Sequence, residues 1–282
     1  MKKFLTISRP RFWVYVLGPF WLVTALAYPL IGHLIQILVL FVYFTFPANI
    51  LIYGINDIYD THTDLLNEKK KLYENTLETN DKRALLYVIF ATNIPFWIYA
   101  IIFLPLISNI FLIFFILLSW QYSAPPIRAK AKPFFDSFFS GLLYIFPAGV
   151  SYATVYNRVP LFLPMLAGFL WSFAMHIYSA IPDINADQAA DIQTSATILG
   201  KKNVLLICML LYSVSAIIAF MYIGFFVLPA WLLYVYLLWL SHNKKNPEDV
   251  LSIYKIFPLV NTLVGGMLFV ILFLQSQGIT SF

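Results

Sequence analysis

Two short stretches of the sequence concentrate carboxylates at helical spacing. They read NDIYDTHTD, from Asn56, and DINADQAAD, from Asp183. The carboxylates recur every three or four residues, at Asp57, Asp60, Asp64, Asp183, Asp187 and Asp191. At about 100° per residue, each set falls within about 100° of the circumference of a helix. Like charges at this spacing destabilise a helix by about 0.2 to 0.5 kcal/mol per pair, so we expect a bound cation to offset the repulsion.

Magnesium is the cation that this chemistry favours. Carboxylates are hard oxygen ligands, and Mg²⁺ is commonly held by one or two of them together with water and substrate phosphates. We therefore predict a Mg²⁺ site with a diphosphate between two acidic faces, and the predicted metal ligands are Asp57, Asp60, Asp64, Asp183, Asp187 and Asp191. The alternative is that these carboxylates are simply solvated in loops, and the occurrence of two such sets argues against it.

A basic segment, YSAPPIRAKAKP, supplies charges of the opposite sign. Arg128 and Lys130 follow a turn fixed by two prolines, and both residue types suit a diphosphate, Arg as a bidentate donor and Lys as a point charge. Together with Asn56 and Lys70 they form the predicted diphosphate-binding set. Anchoring of cytoplasmic loops by positive charge is the open alternative for these cations, and for Arg9 and Arg11.

Three residues next to the acidic motifs are candidates for contact with an apolar substrate. Tyr53 lies four residues before Asp57, and Tyr178 lies five residues before Asp183. Asn49 is a polar residue one turn before Tyr53, and helix-to-helix hydrogen bonding is its equally weighted alternative.

The elements that position these residues are transmembrane helices. The chain has 282 residues, of which 61% are hydrophobic and 11% charged, which is typical of an integral membrane protein. Apolar runs bounded by charges or turns predict nine spans, at 12–32, 34–55, 83–104, 107–123, 136–157, 160–181, 203–222, 225–241 and 256–275. We predict an all-α, polytopic bundle around a central cavity.

The distribution of charge predicts the orientation of the bundle. Of the 18 Lys and Arg residues, Arg158 stands apart, and the other 17 lie in the N-terminal segment, in the connections after helices 2, 4, 6 and 8, or, for Lys255, at the start of helix 9. Cytoplasmic loops retain Lys and Arg, so we place the N-terminus and the mouth of the site in the cytoplasm and the C-terminus outside. The net charge of +5 is explained by this topology and by anionic headgroups or substrate, not by nucleic acid.

The chain is predicted to form one domain, residues 1–282. No linker or low-complexity segment separates parts of it. A coarse repeat of two helices followed by a polar motif indicates two parallel four-helix units plus a ninth helix, with both acidic motifs at one cytoplasmic mouth. The single cysteine, Cys208, excludes a disulfide within the chain and is expected to pack in the core.

These motifs resemble the UbiA superfamily of intramembrane prenyltransferases. NDIYDTHTD fits the first family motif, Asn-Asp-x-x-Asp-x-x-x-Asp, DINADQAAD is similar to the second, Asp-x-x-x-Asp, and YSAPPIRAK is similar to the Tyr-Ser-x-Pro-Pro-x-Arg-x-Lys connection. Two positions depart from the family pattern: Gln188 replaces a basic residue and Asp191 replaces a Gly. The segments NEKKKLYE and SRPRFWVYVLGP look more like the carotenoid-directed branch, the lycopene elongases.

The resemblance implies transfer of a prenyl group from an allylic diphosphate to a lipophilic acceptor in the bilayer. Mg²⁺ and the basic residues would draw charge off the diphosphate until its C–O bond ionises, and an acceptor carbon would attack the cation. The implied catalytic residues are Asp57, Asp60, Asp64, Asp183 and Asp187. A carotenoid such as lycopene is the expected acceptor, and an aromatic acid or quinone precursor is the alternative.

Two other classes of function fit the sequence less well. A cation-coupled secondary transporter also places acidic residues in the membrane, but it is expected to hold them near the midplane on interrupted helices. A membrane scaffold without catalytic activity would not need intact motifs. The sequence therefore favours the enzyme over both the transporter and the scaffold.

Overall fold

The computed structural model describes residues 2–27, 32–64 and 79–279, without the side chains of Lys2, of residues 60–64 and of residues 79–80. This part of the chain is helical and contains no strand, which confirms the all-α prediction. The α-helices are α1 Lys2–Ile7, α2 Trp13–Leu26, α3 Leu34–Asp64, α4 Thr79–Phe103, α5 Leu106–Ser123, α6 Phe135–Tyr156, α7 Phe162–Ser179, α8 Ile184–Ala189, α9 Ser195–Ile223, α10 Val227–His242, α11 Leu251–Tyr254 and α12 Phe257–Ser276. Short 3₁₀ helices cover Pro10–Phe12, Ala129–Ala131, Ile181–Asp183, Gly224–Phe226 and Glu248–Val250.

The number of membrane spans differs from the predicted nine. Within the described ranges, seven segments are long and apolar enough to cross a membrane. The first predicted span contains α2, whose 14 residues fall short of the roughly 20 that a bilayer requires. The seventh and eighth predicted spans lie in one apolar segment, Ser195–His242, because the 3₁₀ turn Gly224–Phe226 joins α9 directly to α10. The protein is an integral membrane protein.

The chain divides into two compact units. Unit 1 comprises Met1–Thr24, Pro29–Arg128 and Phe146–Val159, and unit 2 comprises Ala25–Tyr28, Ala129–Ile145 and Pro160–Phe282. The first acidic motif belongs to unit 1 and the second to unit 2. The single domain and the cavity between the two motifs therefore stay predictions.

In unit 1, α3 packs against α4 and α5. The side chains of α4 pack closely over Gly54, where a Cβ atom would lie 2.9 Å from Cδ1 of Ile89. A core cluster of buried apolar residues holds these helices to α1 and consists of Ile7, Ile50, Leu51, Ile55, Ile58, Leu85, Ile89 and Ala124. The end of α3 that carries the first motif is thus held in position by this apolar core.

In unit 2, α9 packs against α7 and α10. Ser215 donates to the carbonyl of Ala167 at 2.8 Å, and the indole of Trp231 donates to Ser213 at 3.1 Å. Cys208 is fully buried and its thiol donates to the carbonyl of Ala174, so the predicted packing role is confirmed. α9 also contains a break at Gly200, whose φ of 70° lies in the left-handed region that glycine adopts without strain.

Candidate active site

The first acidic motif lies at the end of α3. This helix runs without interruption through Asn56 and Asp57 to Asp64, as the carboxylate spacing predicts. Asp57 is only 8% exposed, although it is a charged residue. Its Oδ1 atom accepts a hydrogen bond from Nη2 of Arg9 at 2.9 Å, which places a positive charge against the motif. For Asp57, part of the carboxylate repulsion is therefore offset by a cation of the protein itself.

Arg9 is held in place by the N-terminal segment. Its backbone is left-handed, with φ of 51°, and the next residue, Pro10, begins a 3₁₀ turn. The guanidinium carbon lies 4.8 Å from the centre of the Tyr53 ring, a cation–π contact, and Tyr53 also packs against Phe12. From the sequence alone, Arg9 is a cation whose alternative role is anchoring of a cytoplasmic segment. The pairing of two distant segments, 48 residues apart, leaves no local signal in the sequence.

The basic segment reaches the first motif through Ser123. Oγ of Ser123 donates to Oδ1 of Asn56 at 3.1 Å, and Ser123 is fully buried at the end of α5. Arg128 follows in a left-handed conformation, with φ of 46°, and is exposed. Lys130 is half-buried in the 3₁₀ helix Ala129–Ala131. Diphosphate binding by Asn56, Arg128 and Lys130 stays a prediction.

Three predicted site residues fall where side chains are not described. The side chains of Asp60 and Asp64 lie outside the described part, although the helical backbone continues through both. Lys70 lies wholly outside the described residues. Among the described residues, no three His, Cys, Asp or Glu side chains form a metal-binding group. The predicted metal site therefore stays a prediction.

The second acidic motif has a different backbone. Asp183 ends the 3₁₀ helix Ile181–Asp183, Asp187 lies in the six-residue α8, and Asp191 follows the end of that helix. The prediction that all three share one helical face is wrong for Asp191, whose φ of 54° is left-handed. The amides of Asp191 and Ile192 donate to the carbonyls of Gln188 and Asp187, which is the Schellman pattern that terminates helices.

A buried carboxylate outside both motifs stabilises the chain that follows Asp191. Asp136 is 2% exposed, and its oxygens accept hydrogen bonds from the amides of Ser137 and Ser195 and from the hydroxyl of Ser195. Oγ of Ser195 accepts in turn from the amide of Phe134 at 2.7 Å. These bonds cap the starts of α6 and α9 together. Asp136 could not be identified from the sequence, because a single Asp after a Pro-Phe-Phe run has no motif around it.

The three predicted substrate-contact residues are all buried. Tyr178 is fully buried, bonds through its hydroxyl to Ser241 at 2.6 Å and stacks on Phe257 with ring centres 4.4 Å apart. Tyr53 lies beneath Arg9. Asn49 is fully buried and donates to the carbonyl of Phe44 at 3.0 Å. Contact of these residues with substrate is not tested by these bonds and stays a prediction.

Comparison with known proteins identifies the family. The family model of the UbiA prenyltransferase family matches residues 16–257. A lycopene elongase/hydratase from Halobacterium salinarum is 38% identical over 262 residues, covering 92% of each chain. A lycopene elongase/hydratase from Haloarcula japonica is 36% identical over 267 residues, covering 93% of this chain and 87% of the relative.

A solved structure agrees in fold. A UbiA homologue from Archaeoglobus fulgidus, solved with GPP and Mg²⁺ bound, superposes with a TM-score of 0.78 at 18% identity and covers 96% of this chain and 99% of its own. At this identity the likeness concerns the fold alone. The match to the family model and the two relatives confirm the resemblance read from the motifs: the chain belongs to the UbiA prenyltransferase family and is an integral-membrane prenyltransferase.

Proposed function

We propose that this protein transfers a prenyl group from an allylic diphosphate to a carotenoid, with lycopene as the acceptor. The observation that carries the proposal is the similarity to lycopene elongase/hydratases over about nine-tenths of both chains. A local likeness would reflect only the shared diphosphate site of the family. A likeness along the whole chain includes the apolar helices that must accommodate the acceptor.

The alternative acceptors and the other classes of function are less well supported. An aromatic acid requires a polar or cationic group for its carboxylate, and the sequence after the first motif, NEKKKLYE, lacks the Arg-Pro-Leu that accompanies that chemistry in the family. Aromatic acids remain the second candidate and belong in the test below. The family assignment gives no support to the secondary transporter or the scaffold.

Mg²⁺ fits the residues present. Asp57 is a hard oxygen donor at the polar end of α3, and its carboxylate already binds a positive charge, the guanidinium of Arg9 at 2.9 Å, which Mg²⁺ would have to displace from Oδ1. The proposed ligands are Asp57, Asp60, Asp64, Asp183 and Asp187. When bound, Mg²⁺ would supply charge neutralisation to the leaving diphosphate. For Asp191 the same role is the weakest part of the proposal, because it has left the helix.

The chain's own cations are proposed to assist departure of the diphosphate. Arg9 is within reach of the first motif, and its guanidinium offers paired donors suited to phosphate. Arg128 and Lys130 lie five and seven residues after Ser123, whose hydroxyl bonds to Asn56, and are proposed to bring further positive charge to the diphosphate. These residues stabilise negative charge on the leaving group and so lower the barrier to ionisation.

The surrounding helices are proposed to exclude bulk water from the allylic cation. Tyr53 lies next to the first motif, and one face of its ring already contacts the Arg9 guanidinium, which supports a role for this ring in stabilising positive charge. We further propose that the mouth of the site and the N-terminus face the cytoplasm, where diphosphate and Mg²⁺ are found, as the distribution of Lys and Arg indicates.

A transfer assay in membranes containing the protein tests the proposal. Radiolabelled dimethylallyl and geranylgeranyl diphosphates are supplied with Mg²⁺ and either lycopene or a panel of aromatic acids, and parallel reactions contain excess chelator. We expect label in an extended carotenoid, and no product when the metal is chelated. Label on an aromatic acid alone would overturn the carotenoid acceptor, and full activity in chelator would overturn the metal.

A further inference from the structure

α3 carries a buried polar residue deeper in the membrane than its acidic motif. Asn49 lies eight residues before Asp57, about 12 Å along the helix axis. At about 100° per residue, Asn49, Tyr53 and Asn56 fall within about 60° of arc. Asn49 therefore lies on the face of α3 that carries the first motif, below the diphosphate end.

The hydrogen bonds of Asn49 fix the direction of its amide. Nδ2 donates to the carbonyls of Phe44 at 3.0 Å and Thr45 at 2.5 Å, beside Pro47 within the helix. Since carbonyl oxygens only accept, the amide nitrogen must face them and Oδ1 must face the other way. Among the described residues, no donor lies within hydrogen-bond distance of Oδ1, although Asn49 is fully buried. A buried acceptor in this state is suited to receive a hydrogen bond from a small polar molecule.

In the proposed reaction, a bound water molecule could react with the cation that forms on the acceptor. Attack of an acceptor double bond on the allylic carbon forms a carbon–carbon bond, breaks the carbon–oxygen bond to diphosphate and leaves a tertiary cation on the acceptor. The cation can lose a proton to give a new double bond, or it can take up water to give an alcohol. The relatives are named as hydratases as well as elongases, so both outcomes belong to this group of enzymes.

We propose that Oδ1 of Asn49 holds the water that captures the acceptor cation, and that Asn49 thereby determines the proportion of hydrated product. This inference rests on the proposed function. The water donates one hydrogen bond to Oδ1 and forms the new carbon–oxygen bond with a lone pair. Its surplus proton passes to the departing diphosphate, the stronger base. Asn49 orients the water and does not take the proton.

An amide suits this position better than a carboxylate or a hydrocarbon. A carboxylate below the metal site would bind a cation itself, whereas a neutral amide leaves the metal with the motif. A hydrocarbon would offer the water no partner, and proton loss would prevail. Because both amide hydrogens are engaged by Phe44 and Thr45, the oxygen keeps one direction throughout the reaction.

The chain offers a matched control in Asn93. It too is fully buried, its Nδ2 donates to the carbonyls of Pro47 and Ile89 at 2.9 Å each, and its Oδ1 also lacks a donor among the described residues. Asn93 lies on α4, which packs on the Gly54 side of α3. Gly54 lies about 140° around α3 from Asn49, so Asn93 is away from the face that carries the motif.

The experiment measures the ratio of hydrated to unhydrated product. Membranes containing the protein receive lycopene, dimethylallyl diphosphate and Mg²⁺ in ¹⁸O-labelled water, and mass spectrometry separates the two products. For the wild type we expect ¹⁸O in the hydrated product. Loss of one hydrogen bond to the water should lower the ratio about tenfold in Asn49→Leu. In Asn93→Leu the ratio should stay within about twofold of wild type.

The outcomes separate this inference from the proposed function. Failure of the wild type to prenylate lycopene overturns both. Transfer that gives only unhydrated product, or an equal fall of the ratio in the two variants, overturns the role of Asn49 and leaves the proposed function intact. If Asn49→Leu does not fold, the comparison of Asn49→Ser with Asn49→Ala decides. The serine hydroxyl can still accept a hydrogen bond from the water, so the ratio of hydrated to unhydrated product should be at least about threefold higher in Asn49→Ser than in Asn49→Ala. Equal ratios overturn the inference.

Discussion

The two acidic motifs have similar spacing but different backbones. The first is the last part of α3, a helix of 31 residues that continues through it. The second is assembled from a 3₁₀ turn, the six-residue α8 and a left-handed residue. Periodicity in a sequence therefore predicts which residues recur, but the end of a helix depends on its capping interactions, which periodicity does not show.

The two motifs are also stabilised by different contacts. The first is continuous with a helix packed on both α4 and α5, and its buried carboxylate is neutralised by Arg9. The second depends on bonds to other segments: Asn185 donates to Glu248, and Ser195, after the motif, bonds to Asp136. We therefore expect the protein to lose more stability when a charge is neutralised in the first motif than in the second. Near the second motif, we expect removal of a hydrogen bond to cause the larger loss of stability.

The largest expected effect is the loss of transfer when one carboxylate of either motif is neutralised. Asp57→Asn and Asp187→Asn should each reduce transfer by about 10³-fold or more, because each removes a proposed metal ligand from the stabilisation of the leaving group. Asp57→Asn should also lower thermal stability, since it leaves the guanidinium of Arg9 without its charged partner. The measurements are the transfer assay and thermal unfolding in detergent.

Asp187→Asn serves as the comparison for stability. Asp187 is half-buried on a short helix, so its replacement should change the unfolding temperature little. Substantial transfer by either variant would contradict the metal–diphosphate proposal. Equal destabilisation by both would contradict the difference drawn between the motifs.

The second prediction concerns the ion pair of Arg9 with Asp57. In chelator, Arg9→Gln should destabilise the protein by about 2 kcal/mol, less than the 3 to 5 kcal/mol typical of a fully buried pair, because the two side chains are 14% and 11% exposed. Added Mg²⁺ should raise the melting temperature of this variant more than that of wild type, since the metal no longer competes with the guanidinium for Asp57.

Arg11→Gln is the matched control for Arg9. Arg11 lies two residues away, is exposed and contacts the ring of Phe12. Its replacement should leave the Mg²⁺-dependent rise in melting temperature as in wild type. If Arg9→Gln and Arg11→Gln respond alike, Arg9 is an anchoring cation and does not interact with the metal site.

The third prediction tests the hydrogen bonds around the second motif. Ser195→Ala removes a donor to the buried Asp136 and the acceptor for the amide of Phe134, so stability should fall by about 1 to 3 kcal/mol. Hydrogen exchange of the amides of residues 191–199 should become faster. Ser119→Ala is the control: Ser119 is equally buried, but within the described part of the chain its hydroxyl bonds only to Phe115 in its own helix, and the loss should stay below about 1 kcal/mol. Equal losses would contradict the role given to Asp136.

Much of the fold and the first motif follow from the sequence. The apolar runs predict the long helices to within a few residues for α5, α6 and α10, and the carboxylate spacing predicts that α3 continues past the membrane core. These features depend on local periodicity and on the physics of burial in lipid. The spans around α2 and the α9–α10 turn were less predictable, because hydrophobicity alone does not define where a helix begins or turns.

The parts that could not be predicted depend on distant residues. The Arg9–Asp57 pair joins residues 48 apart, and the Asp136–Ser195 bonds join residues 59 apart. Neither pairing has a pattern in the sequence: Asp57 belongs to a motif, but nothing near it indicates Arg9 as its partner, and Asp136 and Ser195 each stand outside any motif. The residues that could be predicted belong to motifs, in which residues of the same type recur at regular spacing. The residues missed are single groups whose roles exist only in the folded chain.

The smallest expected effect concerns Asp191, where the sequence departs from the family pattern by having Asp in place of Gly. The left-handed φ of 54° explains why Gly suits this position, and Asp is among the few other residues that tolerate it. Asp191→Gly should therefore change stability by less than about 1 kcal/mol and keep transfer within about threefold of wild type. A loss of transfer as large as that of Asp187→Asn would instead show that Asp191 binds the metal despite lying beyond α8. Asp191→Val distinguishes the effect of the backbone from that of the charge. Both Val and Gly remove the carboxylate, but only Val strains the left-handed backbone at this position. The Val variant should therefore be less stable than the Gly variant, while the dependence of transfer on Mg²⁺ should be the same in both.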